Sequence, residues 1–534
     1  MVASEGKRPQ RRWLKRLAMT MVVVVAVPLM WAVASWTYDT LDARKARMTT
    51  TGPFRAELAS LNRHRVPAWF EDAKFGIFVH WGLFSVPGFA PTTPFADVLR
   101  SDYDRAMVVS PFAEDYANAM RDPASPTAAY HREHHGDMPY QAFRATFEEQ
   151  ARSWNADRWA EQFEKAGAKY VVLVVKYHDG YSLWPTRVTN PHAPDWHSER
   201  DLVGELAEAV RRRGVRFGIY YSGGVDWTFQ RERVDTLGDY SAAPYGDGYA
   251  DYAETQLREL IARYKPDILW NDISWPTGQH RLNAILADYY NQVPDGVVND
   301  RWSCDSLGRR AMGLRPVRSG FDLLMKLAIH QRPELVDSIT PPTVPHADFT
   351  TPEYTQYDTT QAKKWETTRG MGTSYGYNRM ETDAHYASFE QVLFPSFIDA
   401  VAKNGNYLLN VGPAGGQGTI PPEQADRLVR FGDWLAANGA AVYGSRPYVP
   451  AEARTIEGWP VKLTRSADAC NVIVVGRPSG RTLTIEGLEL PRTSGRLIAS
   501  GDRVGIHSAG GRTVLSFESD LEGIFSPVIV VPTR

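Results

Sequence analysis

The side chains that could serve as acid, base or nucleophile in this chain are Asp272, Glu114, Glu353, Glu366, Asp179, Asp226, His80 and His178. Two carboxylates facing each other across a pocket lined by Trp and His would suit glycosidic bond cleavage. One carboxyl would move a proton while the other attacks or activates water. Residue types alone leave the reaction open. His131, His134 and His135 with Glu133 and Asp137 look like metal ligands, but they lack the two-histidine helical spacing with a placed third ligand, so this stretch reads as a solvated loop. The glycine-rich run 412–418 has neither the lysine of a phosphate-binding loop nor a dinucleotide spacing, and reads as a tight turn.

The elements that must position these groups repeat a single pattern. An apolar strand ends in polar residues, then a loop and an amphipathic helix follow. Residues 73–79 run into His80-Trp81-Gly82, and 170–175, a continuous apolar run, ends in Lys176-Tyr177-His178-Asp179-Gly180. Residues 215–221 end in Ser222-Gly223-Gly224, and 267–270 end in Asn271-Asp272. Val297-Val298 leads to Asn299-Asp300-Arg301-Trp302, and Leu408-Leu409 leads to Asn410. Asn155 reads as a helix cap, and Leu202, Leu206 and Val210 form one stripe of a helix that stops at Gly214. In a parallel (β/α) barrel the C-terminal strand ends converge on one rim, so these distant residues would share one pocket. After about 445 the texture changes to short alternating strands separated by Gly, Pro and Ser turns, which predicts a small antiparallel β-sandwich. The fold class expected is therefore α/β, a (β/α)8-like TIM-type barrel followed by that sandwich. The division is 1–50 for a leader and linker, 51–442 for the barrel and 443–534 for the sandwich.

The motifs become specific when taken in order. Ala73-Lys74-Phe75-Gly76-Ile77-Phe78-Val79-His80-Trp81-Gly82, Lys176-Tyr177-His178-Asp179-Gly180, Leu269-Trp270-Asn271-Asp272, Asn299-Asp300-Arg301-Trp302, Thr351-Pro352-Glu353-Tyr354 and Ser374-Tyr375-Gly376-Tyr377-Asn378 resemble the α-L-fucosidases of glycoside hydrolase family 29. The resemblance runs from about residue 52 towards the C-terminus. It implies a retaining exo-glycosidase acting on terminal α-L-fucosyl groups of a fucosylated glycan, with no cofactor and no metal. By the same resemblance Asp272 matches the nucleophile and Glu353 the general acid/base, with Glu366 and Glu114 as alternatives for the latter. His80, Glu114, His178, Tyr220, Trp270, Arg301 and Tyr375 match residues lining the fucose pocket. Another exo-glycosidase or a silent carbohydrate-binding protein on the same scaffold are the competing readings. Two positions depart from the family pattern: Asp115 follows Glu114 where an aromatic is common, and Tyr177 precedes His178 where a second histidine is common. The stretch 303–347 is longer than in relatives and reads as a lid or extra wall.

Composition narrows the partners. The 534 residues carry 60 Lys+Arg against 62 Asp+Glu, a net charge of −2 that argues against nucleic acid. Cys304 and Cys470 are the only cysteines, so no disulfide framework exists. The 16 Trp, 25 Tyr and 21 Phe suit a sugar-stacking protein as well as a large core. Lys7, Arg8, Arg11, Arg12, Lys15 and Arg16 precede an uncharged run over 17–36, which as a helix would span roughly 30 Å and cross a bilayer. The basic excess on its N-terminal side predicts that the remainder is exported. Ala32-Val33-Ala34 offers a signal-peptidase site, but the length of the run favours an uncleaved anchor. The expected location is extracytoplasmic, and a homo-oligomer is compatible with the sequence.

Overall fold

The computed structural model describes residues 27–230, 232–242, 246–338 and 342–533. The strand–helix alternation forms one parallel sheet of β1 (Phe75–Val79), β2 (Tyr170–Lys176), β3 (Arg216–Ser222), β4 (Ile268–Asp272), β5 (Val297–Val298), β6 (Trp365–Arg369) and β7 (Gly405–Val411). Their spatial order is β5-β4-β3-β2-β1-β7-β6. Every residue of β2 is buried, as expected of a strand covered on both faces. Helix Ala156–Lys165 precedes β2. Asn155 caps it by accepting from Arg158 N at 3.1 Å, and Trp159, Ala160 and Phe163 are buried. Helix Leu202–Arg212 buries Leu202, Leu206 and Val210 and is followed by Gly214 at φ 70°.

Seven strands pair side by side, with a register shift between β2 and β3 at Val174–Lys176, and an irregular eighth stave fills the gap between β5 and β6. On one side Asp348 N donates to Val298 O at 3.0 Å, and Val298 N donates to Asp348 Oδ2 at 2.8 Å. On the other, Thr368 N donates to Pro352 O at 3.1 Å and Tyr354 N to Thr368 O at 2.9 Å. Residues 348–354 thus run parallel to β6 but do not form a regular strand. Pro352 has no N–H to donate, and a side chain of Asp348 takes a ladder position. The eightfold architecture is met with seven strands and one such stave.

The C-terminal strands, expected as a two-sheet sandwich, close on themselves. β8 (Arg446–Thr455), β9 (Pro460–Arg465), β10 (Ala469–Val474), β11 (Thr482–Glu486), β12 (Ser494–Leu497), β13 (Arg503–Ala509), β14 (Arg512–Phe517) and β15 (Val528–Pro532) form a closed barrel in the order β10-β15-β12-β13-β14-β11-β8-β9. The pairing of β10 with β9 shuts it. Alternating Val461, Leu463, Val472, Val474, Leu483, Ile485, Leu515 and Val531 fill its interior. Such alternation serves a sandwich and a small barrel equally, so only the edge pairing separates them.

The uncharged run 17–36 lies outside the described residues as far as 26. From Val27 the chain is helical to Lys45, and among the described residues no helix is long and apolar enough to cross a membrane. The end of this helix is fastened to the barrel. Asp42 accepts from the backbone N–H groups of Gly278, His280 and Arg281 at 3.0, 2.9 and 3.2 Å, at the start of helix Gln279–Gln292. The stretch 303–347 contributes helices Leu307–Met312 and Arg315–Gln331. His131, His134 and His135 lie in helix Pro126–His135 rather than a loop. His131 is buried between the Tyr116 hydroxyl at 2.9 Å and Met138 O at 2.6 Å. No group of His, Cys, Asp and Glu among the described residues is arranged to hold a metal.

Candidate active site

The polar strand ends gather on one rim around the guanidinium of Arg301. Its Nη1 donates to Asp272 Oδ1 at 3.1 Å and its Nη2 meets Glu353 Oε1 at 2.6 Å. The arginine is fixed in turn by the eighth stave, donating from Nε to Thr351 Oγ1 and from Nη2 to Thr351 O, both at 3.0 Å. Its Cζ lies 4.9 Å over the Trp270 ring. One planar fork therefore holds two carboxylates that are 81 positions apart in sequence.

Asp272, at the end of β4, also accepts from the Tyr220 hydroxyl at 2.9 Å and from Ile273 N at 2.9 Å. The backbone beyond it is strained: Ile273 at φ 61° and Ser274 at φ 105° are in the left-handed region, an outlier for a β-branched residue. Gly223 and Gly224 support this turn by donating to Asp272 O at 3.3 Å. A Cβ at Gly224 would stand 2.4 Å from Ile273 O, so a side chain cannot be accommodated there. Glu353 is likewise followed by a left-handed residue, Tyr354 at φ 51°. Desolvation by the surrounding protein raises the Glu353 pKa. Arg301 opposes this and the nearby Asp272 carboxylate adds to it, although the side chain keeps 38% exposure at the lip.

The two histidines present unprotonated Nε2 atoms. Asn410 Nδ2 donates to Tyr375 O at 2.6 Å, so its Oδ1 accepts from His80 Nδ1 at 2.6 Å. Burial takes the His80 pKa down to about 3, leaving a neutral ring. Ser222 Oγ donates to Val225 O at 2.7 Å, so it accepts from His178 Nδ1 at 2.6 Å. His178 Nε2 then accepts from the Tyr240 hydroxyl at 2.5 Å, and burial also holds this histidine's pKa well below its usual value. Aromatic rings line the floor. Tyr220 stacks on Trp270 with centroids 5.5 Å apart, and Tyr375 lies 4.9 Å from His80.

The sequence model of the family described as Alpha-L-fucosidase matches residues 41–314 and 322–440. The tissue alpha-L-fucosidase of Bos taurus is 33% identical over 402 residues, covering 73% of this chain and 71% of the relative. That of Homo sapiens is 30% identical over 439 residues, covering 80% and 79%. The crystal structure of Thermotoga maritima alpha-fucosidase in complex with a mechanism-based inhibitor superposes with a TM-score of 0.75 at 38% identity, covering 90% of this chain and 100% of that one. The chain belongs to the alpha-L-fucosidase family. The expectation of a fucoside-cleaving glycoside hydrolase on a TIM-like barrel is met.

Several expected pocket residues of this family member stand in unexpected relations. His80, His178, Tyr220, Trp270, Arg301, Tyr375, Asp272 and Glu353 come together. Glu114 sits behind the 374–376 loop. It accepts from Ser374 Oγ at 2.9 Å, Tyr375 N at 3.3 Å and Gly376 N at 2.8 Å, and burial raises its pKa against these bonds. Asp115, buried beside it, accepts from the Tyr177 hydroxyl at 3.2 Å. Its pKa is pushed well up by burial and then by Glu114. The two departures from the family pattern therefore pair with each other, and Tyr177 stacks on His178 at 4.0 Å. Glu366 lies inside the barrel, accepting from Tyr170 at 2.5 Å and Trp270 Nε1 at 3.2 Å, with burial raising its pKa to about 7. It supports Trp270 from below. Asp226 forms a fully buried ion pair with Lys176 at 2.8 Å. Asp179 accepts from Tyr140 at 2.7 Å and faces a side cleft lined by Trp196 and Trp227. Tyr240, Ser222, Asn410 and Thr351 complete the site without having been singled out. Asn410 and Ser222 are among the strand-end residues that the pattern places on the shared rim, though without a role of their own. Tyr240, on the short helix Leu237–Ser241, carries no such signal.

Proposed function

We propose that this chain hydrolyses terminal α-L-fucosyl groups with retention, Asp272 serving as nucleophile and Glu353 as general acid/base. The observation that carries the reading is the Arg301 fork, which holds both carboxylates on one guanidinium. Asp272 attacks the anomeric carbon while Glu353 protonates the departing oxygen, giving a covalent fucosyl-enzyme. Glu353 then takes a proton from water as the water displaces Asp272. The donors on Asp272 from Tyr220, Arg301 and Ile273 orient it for attack and stabilise it again as the leaving carboxylate. The raised pKa of Glu353 keeps a proton available for the first step. His80 Nε2 accepts from a sugar hydroxyl, and Trp270 and Tyr375 take the apolar face. His178 does the same once the Tyr240 hydroxyl gives way to one from the sugar. Residues 51–442 are the catalytic unit and 443–534 the C-terminal β domain, supported by the start of β8 at Arg446. Residues 17–36 serve as an anchor holding the catalytic unit outside the cytoplasm, supported by the basic cluster before an uncharged run. The test is Asp272→Gly. Turnover of nitrophenyl α-L-fucoside should vanish and return with azide as a fucosyl azide. Wild-type turnover without azide would remove Asp272 from the role.

A further inference from the structure

Helix Arg315–Gln331 is apolar on two opposite sides. At 100° per residue, Arg318, Phe321, Asp322, Met325 and Ile329 lie on one side. That side is packed: Ile329 is 5% exposed in a small core with Val98, Leu99, Tyr103 and Ala106, and Met325 packs against the same core. Asp322 accepts from the Tyr103 hydroxyl, Thr236 Oγ1 and Gly238 N, each at 3.0 Å. The outward arc carries Val317, Leu323, Leu324 and Leu327, which are 42, 56, 68 and 49% exposed. A leucine stripe turned away from the molecule means a partner surface.

Two features say what that surface is. Among the first 440 residues the family match leaves out only 1–40 and 315–321, and Tyr38 of the first touches the segment that leads into the second. Tyr38 donates to Asp305 Oδ2 at 2.9 Å and lies 4.7 Å beneath the Arg310 guanidinium, on the approach to helix Leu307–Met312. Above Tyr38 the N-terminal helix exposes Met30, Trp31, Val33 and Trp36 by 50–70%, and the first charge after the uncharged run is Asp39. On the anchor reading Trp36 stands where interfacial aromatics mark the edge of a bilayer, while Tyr38 ties that edge to the protein. The helix is reached from the C-terminal end of β5 through Arg301 and helix Leu307–Met312, so its segment leaves the barrel at the rim that carries Arg301.

We propose that the outward face of helix Arg315–Gln331 lies in the interfacial layer of the bilayer that holds the N-terminal segment, and that it keeps the rim of the site close to membrane-borne fucosyl glycans. This rests on the anchor reading given above. The N-terminal helix, fixed to the barrel through Asp42 and Tyr38, sets the orientation, and the leucine stripe provides a second contact in the manner of a monotopic helix. Because Asp322 holds helix Leu237–Ser241, the bilayer contact sits one element away from Tyr240 and the pocket.

The experiment uses the full-length protein in phosphatidylcholine–phosphatidylglycerol vesicles containing a lipid with a diazirine near the headgroup end of its acyl chain, with cross-linked peptides mapped by mass spectrometry. Labels on both 17–36 and 314–327 are expected. Labels on 17–36 alone overturn the interfacial helix and leave the anchor standing, and labels on neither overturn both. A concentration-dependent dimer whose protein cross-links occupy 314–327, unlabelled by lipid, assigns the stripe to a second copy and overturns the proposal. In the triple variant Leu323→Ser, Leu324→Ser and Leu327→Ser, labels on 314–327 should disappear while those on 17–36 remain. Hydrolysis of soluble nitrophenyl fucoside should be unchanged, and hydrolysis of a fucosylated lipid in the same vesicles should fall about tenfold through lost effective concentration. An unchanged rate on the lipid would contradict the proposed role.

Discussion

Arg301→Met removes the group that joins the two carboxylates while keeping a similar apolar stem over Trp270. The wild-type guanidinium makes charge-assisted contacts of 3.1 Å to Asp272 and 2.6 Å to Glu353, with its side chain 11% exposed. Hydrogen bonds to charged groups are each worth about 1.5–3 kcal/mol. If both persist through the transition state, their loss is about 3–6 kcal/mol, and kcat/KM on nitrophenyl α-L-fucoside should fall by roughly 10²–10⁴. The pH profile adds a readout that misfolding would not imitate. Arg301 lowers the pKa of Glu353 against the raising effect of desolvation, so removing the cation leaves desolvation and Asp272 unopposed. The protonated acid then persists to higher pH, and the alkaline limb of kcat/KM should move upward. Arg301→Lys keeps a charge but has no fork, so it should retain one contact and lose about one hydrogen bond's worth, roughly tenfold to a hundredfold. Activity of Arg301→Met within a few-fold of wild type, with the alkaline limb unmoved, would refute the reasoning.

Other perturbations follow from the same contacts. Tyr220→Phe deletes the 2.9 Å hydroxyl bond to Asp272 and should lower kcat/KM about ten- to a hundredfold with little change in melting temperature. Glu353→Ala should abolish hydrolysis of alkyl fucosides far more than that of fucosyl fluoride, whose leaving group needs no proton, and azide should give a product of retained configuration by NMR. Asp226→Ala leaves the Lys176 ammonium buried without its partner and should cost about 3–5 kcal/mol in denaturant unfolding, whatever the assay substrate.

How much the sequence disclosed depended on how locally each feature is encoded. β2 is legible because Tyr170 to Val175 form a run that only a doubly covered strand tolerates, and the Asn155 cap is a two-residue device. β5 is only two residues long, and the eighth stave contains Pro352 with no apolar run, so neither shows periodicity. Glu353 was therefore found through family resemblance rather than through its element. The pairing of Asp115 with Tyr177, and of Tyr240 with His178, joins positions 62 apart in each case, a distance that no local pattern spans. Glu366, the runner-up for the acid/base, lies in an amphipathic segment that suits a structural role, and its side chain does point into the barrel to hold Trp270. The closure of the C-terminal barrel rests on β9 meeting β10 rather than on composition.

The most direct test of the central claim is to trap the glycosyl-enzyme with a 2-deoxy-2-fluoro fucosyl fluoride, digest the protein and locate the added sugar by mass spectrometry. One fluorofucosyl group on Asp272 is expected, and no label in Asp272→Gly. A label on Glu353, Glu114 or Glu366, or full inhibition with no covalent label, would contradict it.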